Sequence, residues 1–149
     1  MYLLVYVDNI ILVSSSSSAA DLLIQSLRSE FAVKDLGPLR YFLGLEVSPV
    51  FEGLSLMQKK YALDLLRRVG MLKCTPVSTP MAATEKLSCS DGDLLSAEDA
   101  TRYRSIVGGL QYLLVTRPDL SYEVNKVCQY MQSPHSPHWD VVKRILRYC

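Results

Sequence analysis

Residues 2–13 form a run of apolar, β-prone side chains that is interrupted once, by Asp8-Asn9. Tyr2-Leu3-Leu4-Val5-Tyr6-Val7 lead into the pair and Ile10-Ile11-Leu12-Val13 lead out of it. Two β-forming arms around a two-residue polar tip predict a β-hairpin with Asp8 and Asn9 at its turn. Asx residues are common in plain turns, so the pair is open to a purely structural reading. A carboxylate set among apolar neighbours is costly unless it has a task or a cation. The run is too short to span a bilayer, which takes about 20 apolar residues. It lacks the basic start of a secretory leader and carries Asp8 inside its apolar part. The expectation is an intracellular protein, cytoplasmic or organellar rather than secreted, with no membrane partner.

Residues 14–18 are all serine, a loop by composition, and Ser18-Ala19-Ala20-Asp21 resembles a capping-box start for a helix. Leu23, Ile24, Leu27 and Phe31 give that helix an apolar stripe, and Asp35-Leu36-Gly37-Pro38 ends it. Residues 40–47 read as one strand and residues 54–58 as its hairpin partner across Glu52-Gly53. A helix over residues 59–69 buries Ala62, Leu65, Leu66 and Val69 and closes at Gly70. On its other face Lys60, Asp64 and Arg68 follow one another at i, i+4.

From residue 73 to residue 95 periodicity is lost, and Pro76, Pro80, serines and acids accumulate. This stretch is expected to be a linker and a subdomain boundary. Ser96 then caps a helix lined by Tyr103, Ile106, Val107, Leu110, Leu113 and Leu114. Gly108-Gly109 inside it point to a close helix crossing or a kink, since each glycine costs about 1 kcal/mol against alanine. Pro118 suits the first turn of a helix lined by Leu120, Val124, Val127, Cys128 and Met131. A last helix from about Pro137 carries Val141, Val142, Ile145 and Leu146 inward and has no stop signal before Cys149. The chain is expected to begin inside a former interior strand and to be truncated at its end. Trp139 and Tyr148 are expected in the helical packing.

A net charge of +1 makes no overall case for a polyanionic partner, but its distribution does. Lys59, Lys60, Arg67, Arg68 and Lys73 form one basic block, and Lys126, Lys143, Arg144 and Arg147 another. Glu85, Asp91, Asp93, Glu98 and Asp99 lie between them. Such blocks either grip a phosphate backbone or line solvated helix faces. Cys74, Cys89, Cys128 and Cys149 follow no Cys-x-x-Cys spacing and fit reduced thiols. His135 and His138 near Cys128 match no common zinc pattern.

Several blocks, in order, resemble the reverse transcriptases of copia-type retrotransposons. Tyr6-Val7-Asp8-Asn9 is similar to that family's Tyr-x-Asp-Asp hairpin, with Asn in place of the second Asp. Asp35-Leu36-Gly37 with Tyr41-Phe42-Leu43-Gly44-Leu45-Glu46-Val47 resembles its primer-grip block. Gln58-Lys59-Lys60-Tyr61 with Asp64-Leu65-Leu66 and Gly70-Met71 resembles the start of its thumb, and Thr79-Pro80-Met81 its linker. Tyr103-Arg104-Ser105-Ile106-Val107-Gly108, Leu110-Gln111-Tyr112-Leu113 and Thr116-Arg117-Pro118-Asp119 resemble its connection region. His138-Trp139 with Val142-Lys143-Arg144-Ile145-Leu146-Arg147-Tyr148 is similar to the segment before the ribonuclease H domain.

The resemblance implies an α+β chain. Residues 1–58 are a partial palm with hairpin, helix and primer grip, and residues 59–72 a thumb-like helix. Residues 73–95 are then a linker and residues 96–149 a helical connection region. It implies Asp8 and the degenerate Asn9 at the catalytic position, with Asp8 a ligand for Mg²⁺ or Mn²⁺. Tyr41, Phe42, Leu43 and Gly44 would carry the primer grip. Tyr6, Lys59, Lys60, Arg67 and Arg68 would contact an RNA or DNA template-primer. Polymerases of this kind clamp two cations about 4 Å apart between carboxylates, because hard Mg²⁺ takes oxygen ligands. Asn9 is an uncharged oxygen donor, and a further family Asp and the nucleotide pocket belong upstream of the hairpin. The expectation is a polymerase remnant that does not bind its metal productively, its parent also carrying an upstream polymerase segment and a ribonuclease H domain. A non-catalytic nucleic-acid-binding module and the C-terminal piece of a longer active polymerase are the alternatives.

Overall fold

The computed structural model describes residues 1–82 and 86–149, so Glu85 of the acidic stretch lies outside the described residues. The chain divides into two units, Met1–Leu56 and Met57–Cys149.

In the first unit, β1 (Tyr2–Tyr6) and β2 (Asn9–Val13) pair antiparallel, Tyr2 opposite Val13 and Tyr6 opposite Asn9. The turn is therefore Val7-Asp8, and Asn9 is the first residue of β2; the expected Asp8-Asn9 tip is shifted by one residue. Pairing Tyr6 with Asn9 completes the register, and Val7 takes a left-handed conformation (φ 49°) to allow it. Helix α1 (Ser17–Glu30) begins one residue before the expected cap: Ser16 Oγ accepts the Ala19 N–H at 3.4 Å. It also ends earlier than Asp35-Gly37, leaving Phe31 exposed just outside it, while Leu23, Ile24 and Leu27 are half-buried. Asp35 instead accepts the Gly37 N–H at 2.8 Å and so makes a turn of its own.

The expected single strand over residues 40–47 is two strands. β3 (Tyr41–Phe42) turns back at Leu43-Gly44 into β4 (Leu45–Val50), with Phe42 opposite Leu45 and Tyr41 opposite Glu46. Leu43 (φ 49°) and Gly44 (φ 83°) supply the two left-handed residues that a tight two-residue hairpin needs. β5 (Gly53–Met57) completes a sheet of order β3-β4-β5. Val47 alone is buried among the described residues of this unit.

The second unit holds the main core. Helix α2 (Lys59–Arg68) ends as expected at Gly70 (φ 72°): Met71 N–H reaches Leu66 O at 2.8 Å and Gly70 N–H reaches Arg67 O at 3.0 Å. These crossed bonds satisfy carbonyls that the last turn would leave open. Helix α3 (Ala97–Leu113) is capped by Ser96 Oγ, which accepts the Asp99 N–H at 3.1 Å, and runs unbroken through Gly108-Gly109. The close crossing is at Gly109, where a Cβ would stand 2.5 Å from Leu65 Cδ2 on α2; Gly108 faces open space. Pro118–Leu120 form a 3₁₀ turn that leads into α4 (Ser121–Cys128), and α5 spans Ser136–Tyr148. Tyr103, Leu110, Leu120, Val124, Val127, Val142 and Ile145 are fully buried between these helices. Trp139 and Tyr148 pack against that core, as expected.

The described part of residues 73–95 belongs to this unit and is tied to α5. Val77 N–H donates to Arg147 O at 3.3 Å, and Arg144 donates to Thr79 Oγ1 at 2.8 Å and Thr79 O at 3.2 Å. No helix among the described residues is long and apolar enough to cross a membrane. All four cysteines are free thiols.

Candidate functional site

The register of β1 and β2 fixes what the first hairpin presents. Asp8 is exposed at the turn, Asn9 stands in the first pair of β2, and Tyr6 is its cross-strand partner. Val7 is β-branched and left-handed, a conformation that costs on the order of 1–3 kcal/mol. That strain sits directly beside the carboxylate. Below the tip the arms carry no charged group, and Tyr2, Leu3, Leu4, Val5 and Tyr6 are all exposed.

Divalent cations of the Mg²⁺ type need several oxygen ligands, with enough negative charge to offset their own. The tip offers one carboxylate, Asp8, and one neutral amide, Asn9. Among the described residues no group of three or more His, Cys, Asp or Glu side chains could hold a metal. The residues present do not by themselves fit a two-metal centre.

Tyr41, Phe42, Leu43 and Gly44 are brought together as one structure, the short strand and turn of the β3–β4 hairpin. Tyr41 is exposed and Phe42 half-buried, and the turn presents Leu43 to solvent (38% exposed). The two hairpins belong to separate sheets.

The basic residues of α2 fall into two pairs, separated along the axis by about 12 Å at 1.5 Å per residue. Arg67 and Arg68 occupy the last turn, where cations complement the negative end of the helix dipole. Lys59 and Lys60 occupy the first turn, which contains no acidic residue of its own and where the dipole disfavours cations. Local helix energetics therefore explain the arginines but not the lysines. Asp64 pairs with Arg67 one turn on, not with Arg68 at the expected i+4 position. Arg68 instead lines an open groove of about 430 Å³ with Glu98, Asp99, Thr101, Arg102, Ser105 and Ile106.

Three positions to which the sequence assigned no part in the packing tie segments of the second unit to one another. Gln58 is buried (3% exposed); its Nε2 donates to Tyr112 O at 3.4 Å and its Oε1 accepts from Thr116 Oγ1 at 2.8 Å. It fastens the start of α2 to the end of α3. Arg117 forks onto Asp119 through Nε at 2.9 Å and Nη2 at 2.8 Å and lies over the Tyr148 ring. The fork holds the Asp119 carboxyl below its usual range. His138 is fully buried at the start of α5. A polar residue followed by an apolar period is the signal for Gln58; nothing in the local pattern marks His138 as buried.

The first 83 residues match the family model described as reverse transcriptase (RNA-dependent DNA polymerase). The chain is 48% identical over 148 residues to the retrovirus-related Pol polyprotein from transposon RE2 of Arabidopsis thaliana. That match covers 99% of this chain and 10% of the polyprotein. It is 49% identical over 148 residues to an uncharacterized mitochondrial protein of Arabidopsis thaliana, covering 99% of this chain and 60% of that one. It is 37% identical over 153 residues to the retrovirus-related Pol polyprotein from transposon TNT 1-94 of Nicotiana tabacum, covering 98% and 12%. The chain thus spans about a tenth of the polyproteins it matches. No solved structure matches it significantly.

Proposed function

Because this chain belongs to the reverse transcriptase (RNA-dependent DNA polymerase) family of transposon Pol polyproteins, we propose that it is a palm, thumb and connection segment of such a polymerase, catalytically inert by itself. In this reading the first hairpin is the metal-bearing hairpin of the palm and the β3–β4 hairpin is the primer grip. Helix α2 begins the thumb, and α3 to α5 form the connection. The partner is an RNA or DNA template-primer, and the cofactor of the complete enzyme is Mg²⁺ or Mn²⁺.

The observation that carries the inertness is the donor set at the tip. Asp8 stands beside an amide where a second carboxylate is needed, so the charge that would hold two cations is missing. Asp8 would be the metal ligand this chain contributes, and it needs acids from another segment of polypeptide.

Primer extension on an RNA template with Mg²⁺ or Mn²⁺ tests this. Four proteins are compared: the 149-residue chain, its Asn9→Asp variant, and each of the two joined to a polymerase segment that contains the upstream carboxylate of a related Pol polyprotein. Extension by the joined Asn9→Asp variant alone is the expected result. Extension by the unmodified chain would overturn the proposal. If the unaltered chain extends primers once joined to that segment, Asn9 suffices as a ligand, and the chain is a piece of an active polymerase.

The lysines at the start of α2 favour a second reading, a nucleic-acid-binding module without catalysis. Both stand exposed at the positive end of the helix dipole, which by itself disfavours cations, and Lys59 is placed as a residue kept for a polyanionic partner would be.

A further inference from the structure

His138 makes two hydrogen bonds that together fix where its single proton resides. Its Nδ1 accepts the backbone N–H of His135 at 2.9 Å, so Nδ1 carries a lone pair. Its Nε2 lies 3.0 Å from the carbonyl oxygen of Ser88, to which it donates. The ring is therefore neutral and in the Nε2–H form. It is fully buried and stacked on Tyr130, with centroids 3.9 Å apart and planes 18° apart. The Tyr130 hydroxyl donates to Leu87 O at 3.0 Å.

Both partners outside the helices, Leu87 and Ser88, lie on the segment over residues 86–95 that runs onto the first turn of α5. That segment is laid down closely. A Cβ on Gly92 would stand 2.6 Å from both Pro137 Cδ and Ser136 Oγ. Ser136 N–H donates to Asp93 O at 2.9 Å, Leu95 N–H donates to Pro134 O at 3.0 Å, and Leu94 bridges His135.

We propose that His138 is a pH-operated pin: neutral, it fastens residues 86–95 to the start of α5, and on gaining a second proton it lets that segment go. The charged ring carries a proton on each nitrogen. Nδ1–H would then point at the His135 N–H, two donors facing each other with no acceptor between them. The ring has to turn, and turning it withdraws the donor from Ser88 and breaks the Tyr130 stack. The titratable groups facing it are His135 from the cap, Tyr130 from the turn after α4, and Asp91 from the segment itself. Burial, the largest influence, and His135 both disfavour the charged ring, while the Ser88 bond and Asp91 favour it. The net effect is downward.

The sign follows from linkage. A histidine whose folded pKa is depressed contributes nothing above its ordinary value near 6.5, where both states are neutral. Below it the released state takes up a proton that the fastened state refuses, so fastening weakens as pH falls from about 6.5 towards the folded pKa. The limiting slope is about tenfold per pH unit.

The test is hydrogen exchange across residues 86–95 in the full chain, at pH 7.5 and pH 5.5, corrected for the intrinsic chemical rate. His138→Gln is the comparison. Protection is expected to fall by up to about tenfold in the native chain between pH 7.5 and pH 5.5 and to be independent of pH in the variant. Equal protection at both pH values in the native chain, or the same fall in the variant, would overturn the proposal. Should His138→Gln fail to fold, imidazole nitrogen resonances of the native chain decide. A neutral Nε2–H ring at pH 7.5 that changes in step with the exchange of residues 86–95 supports the pin. An Nδ1–H ring, or a titration without that change, refutes it.

Discussion

Among the described residues Val7 and Leu43 are the two non-glycine residues that adopt left-handed backbone, and each stands at the turn of a hairpin that carries a candidate site. Side chains of that size resist the conformation, so the surrounding pairing must hold it. Gly108 and Gly109 show the opposite relation between residue and place. Both cost helix stability, but only Gly109 has a packing reason, the approach of Leu65 from α2. Gly108 is exposed, helical and free of neighbours. Gly108→Ala is therefore expected to stabilise the helical unit by up to about 1 kcal/mol. Gly109→Ala gains the same propensity but drives a methyl into a buried leucine, at a cost of about 1–3 kcal/mol. Urea unfolding followed by helical circular dichroism checks this. Equal effects from the two substitutions would mean that α2 and α3 are not in close contact at Gly109. The glycine pair was legible in the sequence as an anomaly. Which of the two mattered was not, because that depends on a neighbour 44 positions away (109 and 65 in sequence).

At the scale of elements, the helices were legible and the hairpin tips less so. Apolar residues at helical period have one consistent interpretation over ten or more positions, which is why the buried faces of α2, α3 and α5 fall where expected. A hairpin depends on two residues: the first tip lies one residue before the expected one, and the second falls inside a run that reads as a single strand, each for a local reason. Val7 has no turn chemistry, so the polar Asp8-Asn9 pair drew the reading one residue downstream. Leu43 looks like a strand residue, so only Gly44 hinted that the run folds back. The interface proposed on α2 lies at this scale too. If duplex binding is found, each phosphate neutralised contributes about −0.9 to the slope of log affinity against log salt. Replacing Lys59, Lys60, Arg67 and Arg68 together by alanine is expected to flatten that slope. A slope unchanged in the quadruple variant would remove α2 and direct attention to Lys143, Arg144 and Arg147.

The two units differ in what holds them. Met57–Cys149 closes a core around Tyr103, whose hydroxyl donates to Val127 O at 2.7 Å, and its helices satisfy their own backbone. Met1–Leu56 contains a two-stranded and a three-stranded sheet, a helix with no buried residue, and one buried side chain, Val47. An isolated two-stranded hairpin is marginal in water, and a helix of this length draws most of its stability from packing. The sequence carried both halves of this contrast: period-3.6 faces that match one another in the second unit, and in the first a β-run apolar on both faces. It did not reveal what covers that run. We therefore expect backbone amides of the full chain to exchange in two classes. Those of α3, α4 and α5 should be the most protected, and those of β1, β2 and α1 should exchange close to their intrinsic rates. A hydrophobic dye should bind the same N-terminal unit, and residues 57–149 expressed alone should keep the helical signal. Strong protection throughout residues 1–56 in a verified monomer would contradict this, since a hairpin with both apolar faces in water has nothing to hold its amides closed. Protection that appears only when the chain is joined to the preceding polymerase segment of a relative would identify that segment as the missing cover for β1 and β2.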